Sequence, residues 1–169
     1  LGDEGVAVED EVERLVRGWR RVRPEVDVST LEVLSRISRL ARYLDRQRTV
    51  VFARHDLEIW SFEVLSALRR ASSPPYLSPG QLLAQTLVAS GTMTNRLDRL
   101  EERGLVRRRP DPADARSVRV QLTAAGRKCV DRALSDLVER EHVILGTLNA
   151  GERSILSGLL WRVVAPFDA

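Results

Sequence analysis

Residues 90–122 read SGTMTNRLDRLEERGLVRRRPDPADARSVRVQL, and the alternation of apolar and basic positions in that run decides the fold. Met93, Leu97 and Leu100 fall at i, i+4 and i+7, one apolar stripe of a short helix. Thr92, Asn95, Arg96, Arg99 and Arg103 lie on another side, so the stripe faces a core and the polar side faces out. Ser90 is the expected N-cap, because its side-chain oxygen can accept an orphan backbone N–H. Gly104 is the expected stop. Leu105–Arg109 and Ser117–Leu122 read as strands, since Val118, Val120 and Leu122 alternate with Arg119 and Gln121. Pro110–Arg116, rich in Pro and Asp, is turn chemistry.

A helix with a polar, basic face running into a basic hairpin has the parts that duplex binding needs. Residues 103–119 carry six arginines against two acids, Asp111 and Asp114. Arg, Asn and Thr can hydrogen-bond base edges in the major groove. Arginines along a ribbon supply phosphate contacts, and one at its tip can enter a narrow minor groove. Asp114, two residues before Arg116, is placed to brace that guanidinium.

Composition sets the outer bounds. The chain has 169 residues, 43% of them hydrophobic, which suffices for a real core. Net charge is only +3 while the sequence pI is about 9.7, so the basicity that matters is local. One cysteine, Cys129, excludes an internal disulfide framework. No apolar run approaches membrane-spanning length, and no signal-like segment opens the sequence, so a cytoplasmic protein with no membrane partner is expected.

Helical stripes continue on both sides of the central run. Val8, Val12, Leu15, Trp19 and Val22 form one. Leu31, Leu34, Ile37, Leu40 and Leu44 form another, capped by Ser29 or Thr30, with Arg36, Arg39, Arg42 and Arg46 opposite. A third helix spans about 57–71. Ser78 caps a short helix over 79–86, with Pro79 at its first position. That helix and the one from 90 make a helix-turn-helix. Thr123 caps a further helix, with Val130, Leu134, Leu137, Val138 and Leu145 on its apolar side, and a last helix covers about 150–164. The expected fold class is mainly α with a small β-hairpin wing: residues 1–56 as N-terminal helices, 57–122 as a winged helix-turn-helix lobe, 123–169 as C-terminal helices. The terminal helices carry more apolar surface than a small winged module needs. A twofold homodimer is therefore expected, matched to a pseudo-palindromic duplex site.

The stretch SGTMTNRLDRLEERGLVRR, the wing DPADARSVRVQLT and the AAGR that follows resemble the MarR family of winged-helix regulators, and the layout is similar over about residues 30–165. The resemblance implies a homodimeric, sequence-specific regulator of transcription, usually a repressor released by a small anionic or phenolic ligand. It implies base contacts from Thr92, Thr94, Asn95 and Arg96, with Arg99 on the same helix. Ser90, Ser78 and Gln81 would lie at the DNA backbone, and Arg116 with Asp114 at the minor groove. The added N-terminal helix with Trp19 resembles a narrower branch that responds to urate or aconitate. There Trp19 and Glu63 would line a ligand pocket, and Arg39 and His55 would complete an anion site.

Other classes have less behind them. His55 and His142 are far apart in sequence, and neither sits in a nucleophile or metal pattern. There is no Walker loop or dinucleotide fingerprint. Acids such as Asp56, Glu58 and Glu63 on helix faces usually only solvate. No enzyme activity, catalytic residue, metal or cofactor is expected. The alternative within binding proteins is a non-specific architectural DNA-binding or protein-interaction module without an effector.

Overall fold

The computed structural model describes residues 10–71, 73–86, 92–112 and 114–167. Its elements are α1 (Glu11–Val22), α2 (Ser29–Ala53), α3 (Ile59–Arg70), α4 (Pro79–Gln85), α5 (Met93–Glu102), β1 (Val106–Asp111), β2 (Asp114–Leu122), α6 (Ala124–Ile144) and α7 (Ala150–Val164), followed by a 3-10 turn (Ala165–Phe167). The expected class, mainly α with a β-hairpin, is the observed one. The chain forms two compact units, Leu1–Gln47 and Arg48–Ala169.

In the first unit, Asp10 caps α1 by accepting from the Glu13 N–H at 2.7 Å. Val12 and Val16 are buried with Val28, and Leu31 packs against them. The expected single stripe of α1 is thus divided. Leu15, Trp19 and Val22 lie one position off that inward row and stay exposed. Val8 lies outside the described residues. Ion pairs Arg36–Asp10 and Arg20–Glu32 join α1 and its flanks to α2. The expected cap of α2 is corrected: Ser29 is already helical, and its N–H donates to Asp27 at 2.9 Å.

The second unit is built on one core. Val64, Leu65 and Leu68 of α3, Leu82 of α4, Met93, Leu97 and Leu100 of α5, Val106, Val120 and Leu122 of the hairpin, and Val130 and Leu137 of α6 are all buried in it. Phe52 and Phe62 stack beside it at 4.2 Å. The i, i+4, i+7 stripe of α5 behaves as its spacing predicts, each side chain contributing about 1.5–3 kcal/mol by leaving water.

β1 and β2 pair antiparallel from Val106↔Leu122 to Pro110↔Val118, with an irregularity before Asp111↔Asp114. The hairpin is longer than expected: its strands run to Asp111 and from Asp114, so most of the Pro- and Asp-rich segment is strand. Pro110 is tolerated because the sheet has only two strands, so its missing N–H can sit on an edge. Leu77 adds a single bridge to Val120, with N···O distances of 3.1 and 2.8 Å.

One junction ties α5, the hairpin and α6. Gly104 closes α5 at φ +67°, where glycine is favoured, and the Leu105 N–H donates to the Leu100 carbonyl at 2.9 Å. The Thr123 N–H in turn donates to the Leu105 carbonyl, and Thr123 Oγ1 caps α6 by accepting from the Gly126 N–H. A Cβ on Gly126 would lie 1.9 Å from the Leu105 carbonyl oxygen, which is backbone and has no rotamer to give. Gly126→Ala is therefore expected to lower stability by at least about 2 kcal/mol. Gly18→Ala, in the interior of α1 where nothing lies within 4 Å, is expected to raise it by about 0.5–1 kcal/mol. Urea unfolding midpoints of the two variants check the pair; a tolerated Gly126→Ala would mean the junction is loose.

Candidate nucleic-acid interface

α5 presents a wet face because its dry face is used up. With Met93, Leu97 and Leu100 buried, Thr92, Thr94, Asn95 and Arg99 are exposed and Arg96 is half-buried. The residue before α5 is Thr92, whose side chain makes no capping bond to the helix. Ser90, expected as the cap, lies outside the described residues. Ser78 and Gln81 form a reciprocal capping box at the start of α4: Ser78 Oγ accepts from the Gln81 N–H at 3.2 Å, and Gln81 Oε1 accepts from the Ser78 N–H at 2.9 Å.

The arginines divide into two groups. Arg108 is held by Asp98 at 2.6 Å and Glu101 at 2.7 Å, both on α5. Glu101 also accepts from the Arg108 backbone N–H at 2.7 Å, so one carboxylate fixes both the chain and the side chain of β1 against α5. Arg119 pairs with Asp111 at 2.6 Å and lies over the Tyr76 ring at 4.1 Å. These two serve the fold. Arg103, Arg107 and Arg109 are exposed, so the expected excess of charge on the hairpin is smaller than the sequence count implies. Asp114 and Arg116 lie on β2 next to the turn, and their side chains are outside the described residues.

Arg96 and Arg99, one turn apart on α5, both lie over Trp60 of α3, each guanidinium carbon 5.1 Å from the ring centroid. Arg99 is further paired with Glu58 at 2.6 Å, and the Trp60 indole N–H donates to the same carboxylate. Those two bonds, the indole's first, hold Glu58 below the usual carboxylate range. The sequence reading passed over Glu58 and Trp60 as site residues. The signal available was an arginine pair at i, i+3 and an aromatic in a neighbouring helix, but their register in space is not written in one dimension.

The four residues expected to bind ligand do not form one cluster within either unit. Trp19 and Arg39 belong to the first unit, where Arg39 pairs with Glu11 and Trp19 is half-exposed. His55 and Glu63 belong to the second, where His55 Nε2 meets Asp136 at 2.9 Å. Glu63 lines a cavity of about 570 Å³ together with Thr49, Leu57, Trp60 and Arg96, and His55 is not among its walls. Cys129 is partly buried, its thiol pKa pushed up by that burial. Among the described residues no group of three or more His, Cys, Asp or Glu is placed to hold a metal ion. No described helix is long and apolar enough to cross a membrane.

Residues 55–117 match the family model described as MarR family. The HTH-type transcriptional regulator PecS of Dickeya dadantii is 38% identical over 153 residues, 90% of this chain and 92% of the relative. The chain belongs to the MarR family. It is a DNA-binding transcription regulator with a winged helix-turn-helix, and it is not an enzyme. A cysteine-to-serine mutant of MarR from E. coli, solved with operator DNA, is 26% identical with a TM-score of 0.68, over 86% of this chain and 97% of that one. A structure of Bordetella bronchiseptica BpsR, concerned with regulation of its DNA binding by 6-hydroxynicotinic acid, is 27% identical with a TM-score of 0.60, over 76% of this chain and 98% of that one.

In this winged helix-turn-helix, Glu101 couples pH to the seating of the hairpin on α5. Its pKa is lowered, first by the Arg108 backbone N–H and then by the Arg108 side chain. A depressed acid stabilises above its unfolded value and loses that contribution as pH falls through its folded value. Glu101→Gln is expected to cost no more than about 1 kcal/mol at pH 7, since the pair is partly exposed, and nothing once both states are protonated in acid. Urea midpoints from pH 7 downward check this; a cost that persists unchanged in acid would assign the loss to packing.

Proposed function

We propose that this regulator is a homodimeric repressor that acts in the cytoplasm, reads a pseudo-palindromic duplex site through α5, and is released by a small organic anion. The observation that carries the DNA reading is the division of α5: a fully buried Met93/Leu97/Leu100 row opposite an exposed Thr94/Asn95 face, beside a basic hairpin. E. coli MarR, similar in fold, has been solved on operator DNA. On this reading Thr92, Thr94, Asn95 and Arg96 contact base edges, Arg99 stands beside them, and Ser78, Gln81 and Ser90 contact the backbone. Arg116 enters the minor groove with Asp114 as its brace.

Support for the homodimer comes from surface that a single chain leaves wet. No residue of α7 is buried, and Ile155, Leu159, Trp161 and Phe167 are exposed at 66, 51, 70 and 83%. Leu34 and Leu40 of α2 are exposed as well. Exposed apolar side chains of this number and size on one helix favour an interaction site. Paired lobes then meet two half-sites about one helical turn apart.

The effector reading rests on the cavity beside α5. Arg96 supplies its positive charge, Trp60 its aromatic wall and Glu63 an acceptor for an N–H or O–H. A planar organic acid bearing such a donor fits those groups, a class that includes urate and hydroxylated pyridine carboxylates. Trp19, Arg39 and His55 are kept as further ligand residues by resemblance to the urate- and aconitate-responsive branch. The ligand would act through its differential affinity for DNA-competent and incompetent states.

Asn95→Ala is expected to cost about 1–3 kcal/mol on the operator and far less on random duplex, read by competition binding at fixed salt. Equal losses on both duplexes would favour the architectural alternative. Leu159→Glu is expected to convert a dimer to a monomer in sedimentation and to weaken operator binding with it; an unaltered assembly would move the interface away from α7.

A further inference from the structure

We propose that Trp60, backed by Glu58, is a positioning residue for sequence reading: it holds the guanidiniums of Arg96 and Arg99 in place on α5, so that Arg96 meets DNA already oriented. The inference rests on the reading of α5 as the base-contacting helix and adds to it a residue that touches no DNA.

The geometry that points to it is the sharing of one ring by two cations. Arg96 and Arg99 each stand 5.1 Å from the Trp60 centroid. Two like charges held over one ring add to the positive potential there, and an acid beside them offsets it. The electron-rich indole attracts both cations. Glu58 supplies the acid. It pairs with Arg99 at 2.6 Å, accepts from the Trp60 indole N–H, and feels the charge of Arg96 as well. Glu58 is the residue preceding α3, and Trp60 packs against the core of the second unit, so both are anchored to the lobe rather than to α5 itself.

The two arginines are thereby given different tasks. Arg99 donates to Glu58 as well as lying over the ring. Arg96 has only the ring contact among the described residues, apart from its charge near Glu58. Held over the ring, Arg96 has its position restricted while its N–H donors take no acceptor among the described residues, which leaves them for a paired hydrogen bond to a base. An arginine ordered in advance loses less rotamer freedom on binding, and a misaligned base cannot be reached by swinging a long flexible stem. Both effects raise discrimination between sequences. Neither changes how many phosphates the protein neutralises.

The test uses the full chain with Trp60→Leu, Trp60→Phe and Glu58→Gln. Each is titrated with a selected operator and with random duplex over a range of salt. Trp60→Leu is expected to lower the operator-to-random affinity ratio at least fivefold, with random-duplex affinity and salt slope within twofold of the parent. Trp60→Phe, which keeps an aromatic face, is expected to retain most of the ratio, and Glu58→Gln to lower it by about twofold. In an Arg96→Ala/Arg99→Ala background Trp60→Leu is expected to have no further effect on the ratio. Equal losses on both duplexes, equal losses in Trp60→Leu and Trp60→Phe, or an additive loss in the double-alanine background would overturn the proposal. If Trp60→Leu fails to fold, an unchanged ratio in Glu58→Gln overturns it alone. A parent protein with no preference among duplexes would defeat the reading of α5 itself; a parent with a preference that these variants leave intact defeats only the role of Trp60.

Discussion

The backbone of Leu105 is where α5, the hairpin and α6 are made one body. Its N–H closes the end of α5 on the Leu100 carbonyl, and its carbonyl accepts from Thr123 at the start of α6. Only a residue without a side chain can stand at position 126, because any Cβ there meets that same carbonyl. The angle between α5 and the hairpin is therefore set by backbone hydrogen bonds and by a steric limit, with Glu101 and Arg108 adding a charged tie across the gap. In the proposed mode of binding, with α5 and the hairpin in adjacent grooves, this rigidity matters, since a small change in that angle would move the hairpin tip relative to the helix.

Charge in the winged lobe is spent in two ways. Arg108, Arg119 and Arg99 are matched by acids from neighbouring elements, and those pairs orient parts of the fold. Arg103, Arg107 and Arg109 stay exposed and supply the field that draws a polyanion. Counting arginines along the hairpin treats both groups alike, and so overstates the electrostatic footprint. Exposed pairs contribute little to stability, so the arrangement of Glu58, Trp60, Arg96 and Arg99 is better understood as geometry than as energy.

Much of the lobe was legible in the sequence because its signals are local. The stripe Met93/Leu97/Leu100, the stop at Gly104 and the caps at Ser78 and Thr123 each depend on residues a few positions apart, and each stands as read; the alternation along β2 holds at Val120 and Leu122 but not at Val118, which is exposed. The errors came where distant residues decide. The stripe of α1 split because partners in the same unit cover Val12 and Val16 and leave Trp19 out. The hairpin ran longer than its Pro and Asp content suggested, because strand pairing outweighed turn propensity. Glu58 and Trp60 were missed since nothing in their own neighbourhood distinguishes them from a capped helix start; their meaning comes from a helix more than thirty residues later.

The exposed apolar face of α7 and the wet face of α5 together make the account a single claim: a paired lobe that distinguishes one duplex sequence from another. Binding-site selection from a random duplex pool at physiological salt tests that claim most directly. The account expects enrichment of an inverted repeat whose half-sites lie about one helical turn apart, bound several kcal/mol more tightly than the starting pool. Recovery of a pool with no enriched motif, or of a motif without twofold symmetry, would contradict it.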